Sequence, residues 1–356
     1  MKPFTTGRRS PIGVDFDGRF MRAVQLTKAR DGWRLEAGVS APRTSPDAPM
    51  DGPEVKEFHQ VLRRQNFKGT RVVLAVPEEK LVADLLELPP RSSGAPLDEI
   101  ARAELASAHA YDPAEAETVC WDLPPSARVK DMTNVMAVAC RHADAQALLE
   151  AFESAGLAVG ALSSRLHAVV RAVRPMLWDS GMTAILDFGW DSALLLLMHQ
   201  GTVIYRRTMP EAAVRLLLQA VSKSLDVEDD AANYLLADVG LAPDSEEAKD
   251  EAPSFKDLTT LISKHLEVVV EAMRSAFSYA AQLYPDATAV EYVLLTGQGS
   301  GIPGFYETLL ERLGMSVRVT APVDVLEGPS TRDGPPGNPS LTVATGLAQY
   351  AGWLAR

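Results

Sequence analysis

The chain has 356 residues, with 35 Lys+Arg against 47 Asp+Glu and a formal net charge of −12. That length predicts two domains or one large duplicated unit. At 46% hydrophobic and 23% charged residues, disordered, collagen-like and fibrous classes are excluded. The acidic balance, without a basic stripe, argues against nucleic acid as the main partner.

Cys120 and Cys140 stand outside any C-x-x-C or Cys/His cluster, a reduced, cytoplasmic usage. Arg8 and Arg9 have no apolar run behind them, so no signal peptide is expected, and the longest purely apolar stretch, 193–198, is about a third of a membrane span.

In chain order, Ile12-Gly13-Val14-Asp15 opens a strand, followed by a short turn and an extended run over 20–26. Trp33, Leu35, Ala37 and Val39 then alternate with Arg34, Glu36, Gly38 and Ser40, the pattern of a half-buried strand. A loop over 41–53 precedes a helix over 54–65. Strands at 71–76 and 81–88, a helix over 97–110, extended segments at 118–123 and 132–140, and a helix over 143–155 capped by Gly156 follow.

The second half restarts with Thr183-Ala184-Ile185-Leu186-Asp187, a turn, a strand over 192–198, a tight turn at Gln200-Gly201 and a strand over 202–207. This repeats the opening order, with Asp15 and Asp187 in equivalent places, and suggests a duplicated fold. Helices are expected over 211–225 and 229–239, a mobile acidic loop over 243–254, and a long one-faced helix over 258–284. A strand at 292–295 leads through Thr296-Gly297-Gln298-Gly299-Ser300-Gly301 into a helix over 304–313 with Pro303 in its first turn. A Gly/Pro-rich loop over 327–339 and a small-residue helix over 341–354 close the chain.

The six histidines show no i,i+4 pairing, which argues against a metal centre built on them. No G-x-S-x-G elbow or G-x-x-x-x-G-K-[ST] loop occurs, so hydrolase triads and Walker-type NTPases lack support. Residues 299–304 do match G-x-G-x-x-G, with Asp324 downstream, but no second βαβ half accompanies them. A more economical reading joins three strand-ending turns: Asp15-Phe16-Asp17-Gly18, Asp187-Phe188-Gly189-Trp190-Asp191-Ser192 and Thr296–Ser300. Each offers small or polar residues where backbone amides can face an anion. Two facing Asp-bearing turns plus a Gly-rich turn is how the actin-like ATPase fold holds a nucleotide. Ordinary Asp/Gly turns are the competing reading, and it stays open at this point.

The stretch 12–26, with Asp15 opening the turn and Arg22-Ala23-Val24-Gln25-Leu26 continuing the strand, resembles the amino-terminal signature of the PilM family, the actin-like proteins of type IV pilus assembly. Val73-Leu74-Ala75-Val76-Pro77 followed by Leu86-Glu87-Leu88-Pro89, and Ala137-Val138-Ala139-Cys140-Arg141, resemble its inserted subdomain. Ala155-Gly156-Leu157 resembles its return to the main fold, 225–241 its second-half helix, and Leu294–Ser300 with Ile302-Pro303-Gly304-Phe305 its adenosine turn. The resemblance implies an α/β, duplicated actin-like (ribonuclease H-like) ATPase fold with a small inserted subdomain in the first half. The expected first half is 1–178, with its core at 10–40 and 157–178 and the insert at about 41–156. The second half is 179–356, with the helix at 341–354 returning to the first half.

The resemblance further implies a nucleotide site from Asp15, Asp17, Gly18, Asp187, Gly189, Asp191, Ser192, Gly297, Gly299 and Ser300, with ATP as cofactor and Mg²⁺ held through Asp15 and Asp187. The chain departs from the family here. Asp17, Gly18 and Arg19 replace a Gly followed by small hydroxyl residues, Trp190 replaces a small residue, and Asn233 and Leu236 replace a Glu and a nucleotide-facing Lys. Nucleotide binding is therefore expected to be weakened or lost, with ATPase activity the most that is expected of it.

By the same resemblance the chain is a cytoplasmic adaptor that reaches the inner membrane only through a partner. That partner is the tail of a PilN-like protein, captured in a groove between insert and main body made of 71–76, 81–88 and the helix from Leu97. Val73, Ala75, Leu85, Leu86 and Ile100 are its candidate residues. Ordinary core is the competing reading for most of them. The related type II secretion protein GspL carries a membrane span that is not expected here. A sugar or acetate kinase-like enzyme lacks a distinct general base, and an FtsA-like filament former lacks a basic terminal helix; self-association stays open.

Overall fold

The computed structural model describes residues 9–125, 132–177, 181–241, 253–285, 289–328 and 334–352. The expected acidic loop falls outside them up to residue 252, as does the end of the expected terminal helix from 353. The elements are β1 (Ile12–Phe16), β2 (Phe20–Lys28), β3 (Trp33–Pro42), α1 (Gly52–Arg64), β4 (Arg71–Val76), β5 (Leu81–Leu88), α2 (Leu97–Ala108), β6 (Ala116–Asp122), β7 (Thr133–Arg141), α3 (His142–Ser154), β8 (Ala158–Ser164) and α4 (Arg165–Val173). They continue with β9 (Met182–Phe188), β10 (Ala193–His199), β11 (Thr202–Met209), α5 (Val214–Leu225), α6 (Asp229–Tyr234), α7 (Pro253–Leu283), β12 (Val290–Thr296), α8 (Phe305–Leu313), β13 (Ser316–Val319), α9 (Pro322–Val325) and α10 (Thr342–Ala348).

Two five-stranded sheets repeat one design. The first runs β3-β2-β1-β4-β8 and the second β11-β10-β9-β12-β13. In each, the first three strands form an antiparallel meander and the last two join in parallel, so β1 corresponds to β9 and Asp15 to Asp187. Burial explains the strand compositions. β3 has one half-exposed face and alternates, whereas every residue of β10 is buried. Leu195 and Leu197 of β10 enter the core of the second half; Leu194, Leu196 and Met198 point the other way.

That other side is a central core between the two sheets. It joins Val73 and Ala75 of β4, Leu166, Val169 and Val173 of α4, Ile185 of β9, Leu294 of β12, and Val343 and Leu347 of α10. Helix α10 packs against α4, β1 and β2. The approach is close enough that a Cβ on Gly13 would overlap backbone atoms of Ala344 and Ala348. Helix α1 starts at Asp51, whose carboxylate accepts the Glu54 amide at 2.9 Å, and turns Val55, Phe58 and Leu62 toward Leu148 and Phe152 of α3 on the outer face of the first sheet.

The unit that forms its own sheet is narrower than the insert expected over 41–156. It is β5-β7-β6, wholly antiparallel, with α2 on one face. β4 belongs instead to the first sheet, paired to β1 and β8, and α1 and α3 pack together on that sheet's core. β8, α4 and β13 complete the two sheets and the central core where sequence periodicity marks no element. The helix expected over 229–239 is α6 followed by a π-helical turn at Leu235–Val239, and α8 begins at Phe305 after Gly304 rather than with Pro303 in its first turn.

Candidate functional site

The end of β1 and its turn form the first wall of the site. Antiparallel register sets Arg22 of β2 directly across from Asp15. The Asp17 carboxylate folds back over its own turn: Oδ1 accepts the amides of Arg19 and Phe20, both at 2.8 Å, and Oδ2 accepts from Arg22 Nη1 at 2.5 Å. Arg22 Nη1 is also 3.8 Å from Asp15 Oδ2, and its Nη2 donates to Gln298 Oε1 at 3.1 Å. Behind the turn, buried Arg43 donates to the Asp17 carbonyl at 3.2 Å and pairs with buried Glu54 at 2.7 Å.

The β9–β10 turn forms the facing wall. Asp187 is fully buried; its Oδ2 accepts from Arg165 Nε, the first residue of α4, at 2.5 Å. A side chain on Gly189 would collide with the Arg165 guanidinium. Asp191 reaches across and accepts the Gly18 amide at 2.7 Å, while Arg215 stands 3.8 Å from its other oxygen. The Arg19 guanidinium lies 4.8 Å over the buried Trp190 ring. Asp15 Oδ2 and Asp187 Oδ1 have no hydrogen-bond partner.

Burial pushes the Asp15 carboxyl up to about 6, with Asp187 and Asp17 adding to the rise and Arg165 and Arg22 opposing it. Burial also raises Asp191, aided by Asp17 and Asp47 and opposed by the Gly18 amide and Arg215. Arg165 is held protonated, because Asp187 and Asp15 outweigh the cost of its burial.

The third turn lies beside the second, since β12 runs parallel to β9 with Thr296 opposite Asp187. Gly297 has φ 85°, and a side chain there would strike Asp187 and the Phe188 backbone. A Cβ on Gly299 would overlap the Phe188 ring, which packs 4.9 Å from Phe305 and 5.9 Å from His265. Ser300 Oγ donates to the Gly297 carbonyl at 2.7 Å. Leu236 is buried in the core of the second half.

A cavity of about 670 Å³ opens between the walls. Asp15, Asp17, Gly18, Arg165, Asp191 and Ser192 line it, together with apolar Met50, Ala75 and Leu148 and charged Glu78, Lys80 and Asp144. Gly189, Gly297, Gly299 and Ser300 do not line it, nor does Asp187, which sits behind Arg165. Of the ten predicted nucleotide residues, six thus gather around one site: Asp15, Asp17, Gly18, Asp187, Asp191 and Ser192. The glycines of the other two turns serve close packing. Arg22, Arg165 and Gln298 complete the network and were not among the predicted residues. Arg22 was detectable as the cross-strand partner of Asp15, whereas nothing local marks Arg165. Among the described residues no group of three or more His, Cys, Asp or Glu side chains is arranged to hold a metal ion.

The predicted groove residues separate. Val73 and Ala75 are buried in the central core, and Ala75 also lines the cavity between the two halves. Leu86 lies under α2, and Ile100 packs on that same small core. Leu85 alone is on the face of the inserted sheet opposite α2, in register with Trp121 and with Met136, which is itself buried. Ala83, Val138 and Val119 form the next row; Leu85 is 36% and Val119 52% exposed. Trp121 anchors this face to the main body, donating to the Val203 carbonyl at 3.1 Å and meeting His167 edge-on at 5.1 Å. Val119 and Trp121 could have been found from the alternation Glu117, Val119, Trp121. Among the described residues no helix is long and apolar enough to cross a membrane.

Comparison with solved structures finds the same fold. The "PilM-PilN type IV pilus biogenesis complex" matches at 20% identity with TM-score 0.74, covering 96% of this chain and 98% of that one. The ethanolamine utilization protein EutJ from Carboxydothermus hydrogenoformans matches at 14% identity with TM-score 0.53, over 96% and 89% of the two chains. MreB5 of Spiroplasma citri bound to AMPPNP matches at 11% identity with TM-score 0.53, over 99% and 98%. No individually curated sequence matches. The fold is therefore actin-like, two repeated sheets flanking a cleft, with an inserted three-stranded subdomain. The family described as "Type IV pilus assembly protein PilM" matches residues 13–350, and the chain belongs to that family.

Proposed function

We propose that the chain is a scaffold of a type IV pilus assembly platform on the cytoplasmic face of the inner membrane, holding the tail of a PilN-like membrane protein, with a nucleotide site that has been weakened or lost. The partner reading is carried by the face of the inserted sheet opposite α2. Leu85 and Val119, exposed on the two outer strands of this face beside Trp121, suit contact with an extended segment bearing apolar side chains, while Met136 and Val138 between them are buried. The solved complex of a PilM with PilN, to which this chain is similar in fold, supports the same partner class. Calorimetry with a synthetic PilN-like tail tests it. Val119→Asp and Leu85→Asp are expected to cost at least about tenfold in affinity while leaving the melting point near wild type, because both positions already meet solvent. Unchanged affinity in both variants would remove this face from the account.

The nucleotide reading rests on the first turn. The amides of Gly18, Arg19 and Phe20, which would face a phosphate, already bind the carboxylates of Asp191 and Asp17. A phosphate oxygen about 4 Å from Asp17 would be repelled by about 4 kcal/mol at an effective dielectric near 20, several hundredfold in affinity. The orphan oxygens of Asp15 and Asp187 suit a cation, yet Arg22 and Arg165 already bring two positive charges to them. The residues present therefore do not fit a Mg–nucleotide well, and no catalytic step is assigned to them. An ATP-binding switch is the second reading, favoured by the cavity that Asp15, Gly18 and Ser192 line.

A further inference from the structure

We propose that the mouth of the cleft is latched shut by the chain's own charged side chains, in the positions where this fold would otherwise use a bridging ligand, so that the closed arrangement of the two halves needs no nucleotide. The inference rests on the reading that nucleotide is not the resident ligand of the cleft.

The base of the cleft is already joined by the central apolar core, to which both sheets contribute. Above it, polar links around the three turns and the β11 edge cross from the first half to the second. The Gly18 amide donates to Asp191 at 2.7 Å, Arg22 to Gln298 at 3.1 Å and Arg165 to Asp187 at 2.5 Å. Arg206 of β11 pairs with Glu78, just before β5, and Thr208 Oγ1 donates to the same carboxylate oxygen at 3.3 Å. Together they reach from the third turn to the strand edge, along both walls.

Their chemistry is that of a ligand held in place. A phosphate chain in a cleft accepts backbone amides from one turn and cationic side chains from the walls. Here Asp17 receives two amides of its own turn and the Arg22 guanidinium, and Asp191 receives the third amide from the opposite half. A cation in the cleft would neutralise two buried aspartates, and Arg165 and Arg22 do so instead. Because Asp187 is fully buried and the Arg165 side chain nearly so, opening the cleft would expose their charges to water only after the bond between them had been broken, whereas Arg22 stays beside Asp15 and Asp17 in the first half. A covalently attached latch also has no dissociation step, so it does not depend on ligand concentration.

Hydrogen–deuterium exchange of the full chain, read in peptides covering 12–26 and 186–198 with and without ATP and Mg²⁺, tests the latch. The wild type is expected to be protected in both peptides without nucleotide and unchanged by its addition. Asp191→Ala removes only a half-exposed side chain and is expected to raise exchange in both peptides by about tenfold. Asp191→Asn, which keeps an acceptor for Gly18, retains protection, as does Arg207→Ala, whose pair with Glu211 stays within the second half. Unprotected wild-type peptides that ATP leaves unchanged overturn the latch but not the weakened site. Unprotected peptides that ATP slows overturn both. Protected peptides together with calorimetric ATP binding sustain the latch and overturn the weakened site. An Asp191→Ala protein as protected as wild type overturns the latch.

Discussion

The backbone amide of Gly18 donates to the carboxylate of Asp191 at 2.7 Å, linking equivalent turns of the two repeated sheets across 173 positions of sequence. In a duplicated fold the two turns face each other because the sheets share one strand order. What each turn presents is then decided by single residues. Asp17 and Asp191 place carboxylates where the turn amides point, and the amides of Gly18, Arg19 and Phe20 are satisfied within the chain.

The Arg43–Glu54 pair supports the first turn from behind, with both side chains at most 4% exposed. Arg43 also donates to the carbonyls of Asp17 and Ala48. Glu54→Ala leaves a buried guanidinium without its counter-charge, and the expected loss in urea unfolding is about 3–5 kcal/mol. The double variant Arg43→Met/Glu54→Leu should lose clearly less, since neither group is then stranded.

Buried Asp15 and half-buried His167 give opposite pH dependences in one window. Asp15 has its pKa raised by burial from 3.8 to about 6, so its contribution to stability is complete below pH 3.8 and is lost as pH rises through 6. Burial, with Arg171 adding, lowers His167 from 6.5 to about 4, so its contribution is complete above pH 6.5 and is lost as pH falls through 4. Each amounts to about 3 kcal/mol. Relative to wild type, Asp15→Asn should therefore gain stability as pH rises from 4 to 7, and His167→Gln should gain it as pH falls over the same range. Thermal melts at half-unit pH steps check both signs.

The terminal helix α10 meets the first sheet where no side chain fits. A Cβ on Gly346 would overlap the Ala168 backbone of α4, and one on Gly13 would overlap α10. Gly346→Ala and Gly13→Ala are each expected to cost about 1–3 kcal/mol in thermal unfolding. Gly301→Ala is the matched control, because nothing lies within 4 Å of a Cβ there.

Much of this fold was legible in the sequence because its strands differ in burial. The alternation of Trp33 to Ser40 and the unbroken apolar run 193–198 each report how many faces of a strand are covered, and the repeated Asp15 and Asp187 turns reported the duplication. The short strand β13 and the mixed β8 carry no such signal; they are strands because parallel neighbours β12 and β4 supply their ladder. The same limit applies to the expected groove residues. Val73 and Leu85 are both apolar strand residues, and only the pairing of β4 with β1 shows that Val73 belongs to the central core. Asp17 could be recognised as an awkward charge from its position alone. That Arg22, Arg19 and Phe20 satisfy it follows only from the turn's geometry.

The most direct measurement is titration calorimetry of the full chain with ATP and Mg²⁺ beside an Asp17→Gly variant. The account predicts no binding by the wild type at micromolar nucleotide, and binding gained by Asp17→Gly, whose freed amides and Arg22 can turn to a phosphate. Micromolar binding by the wild type would contradict it and restore a nucleotide-switched adaptor.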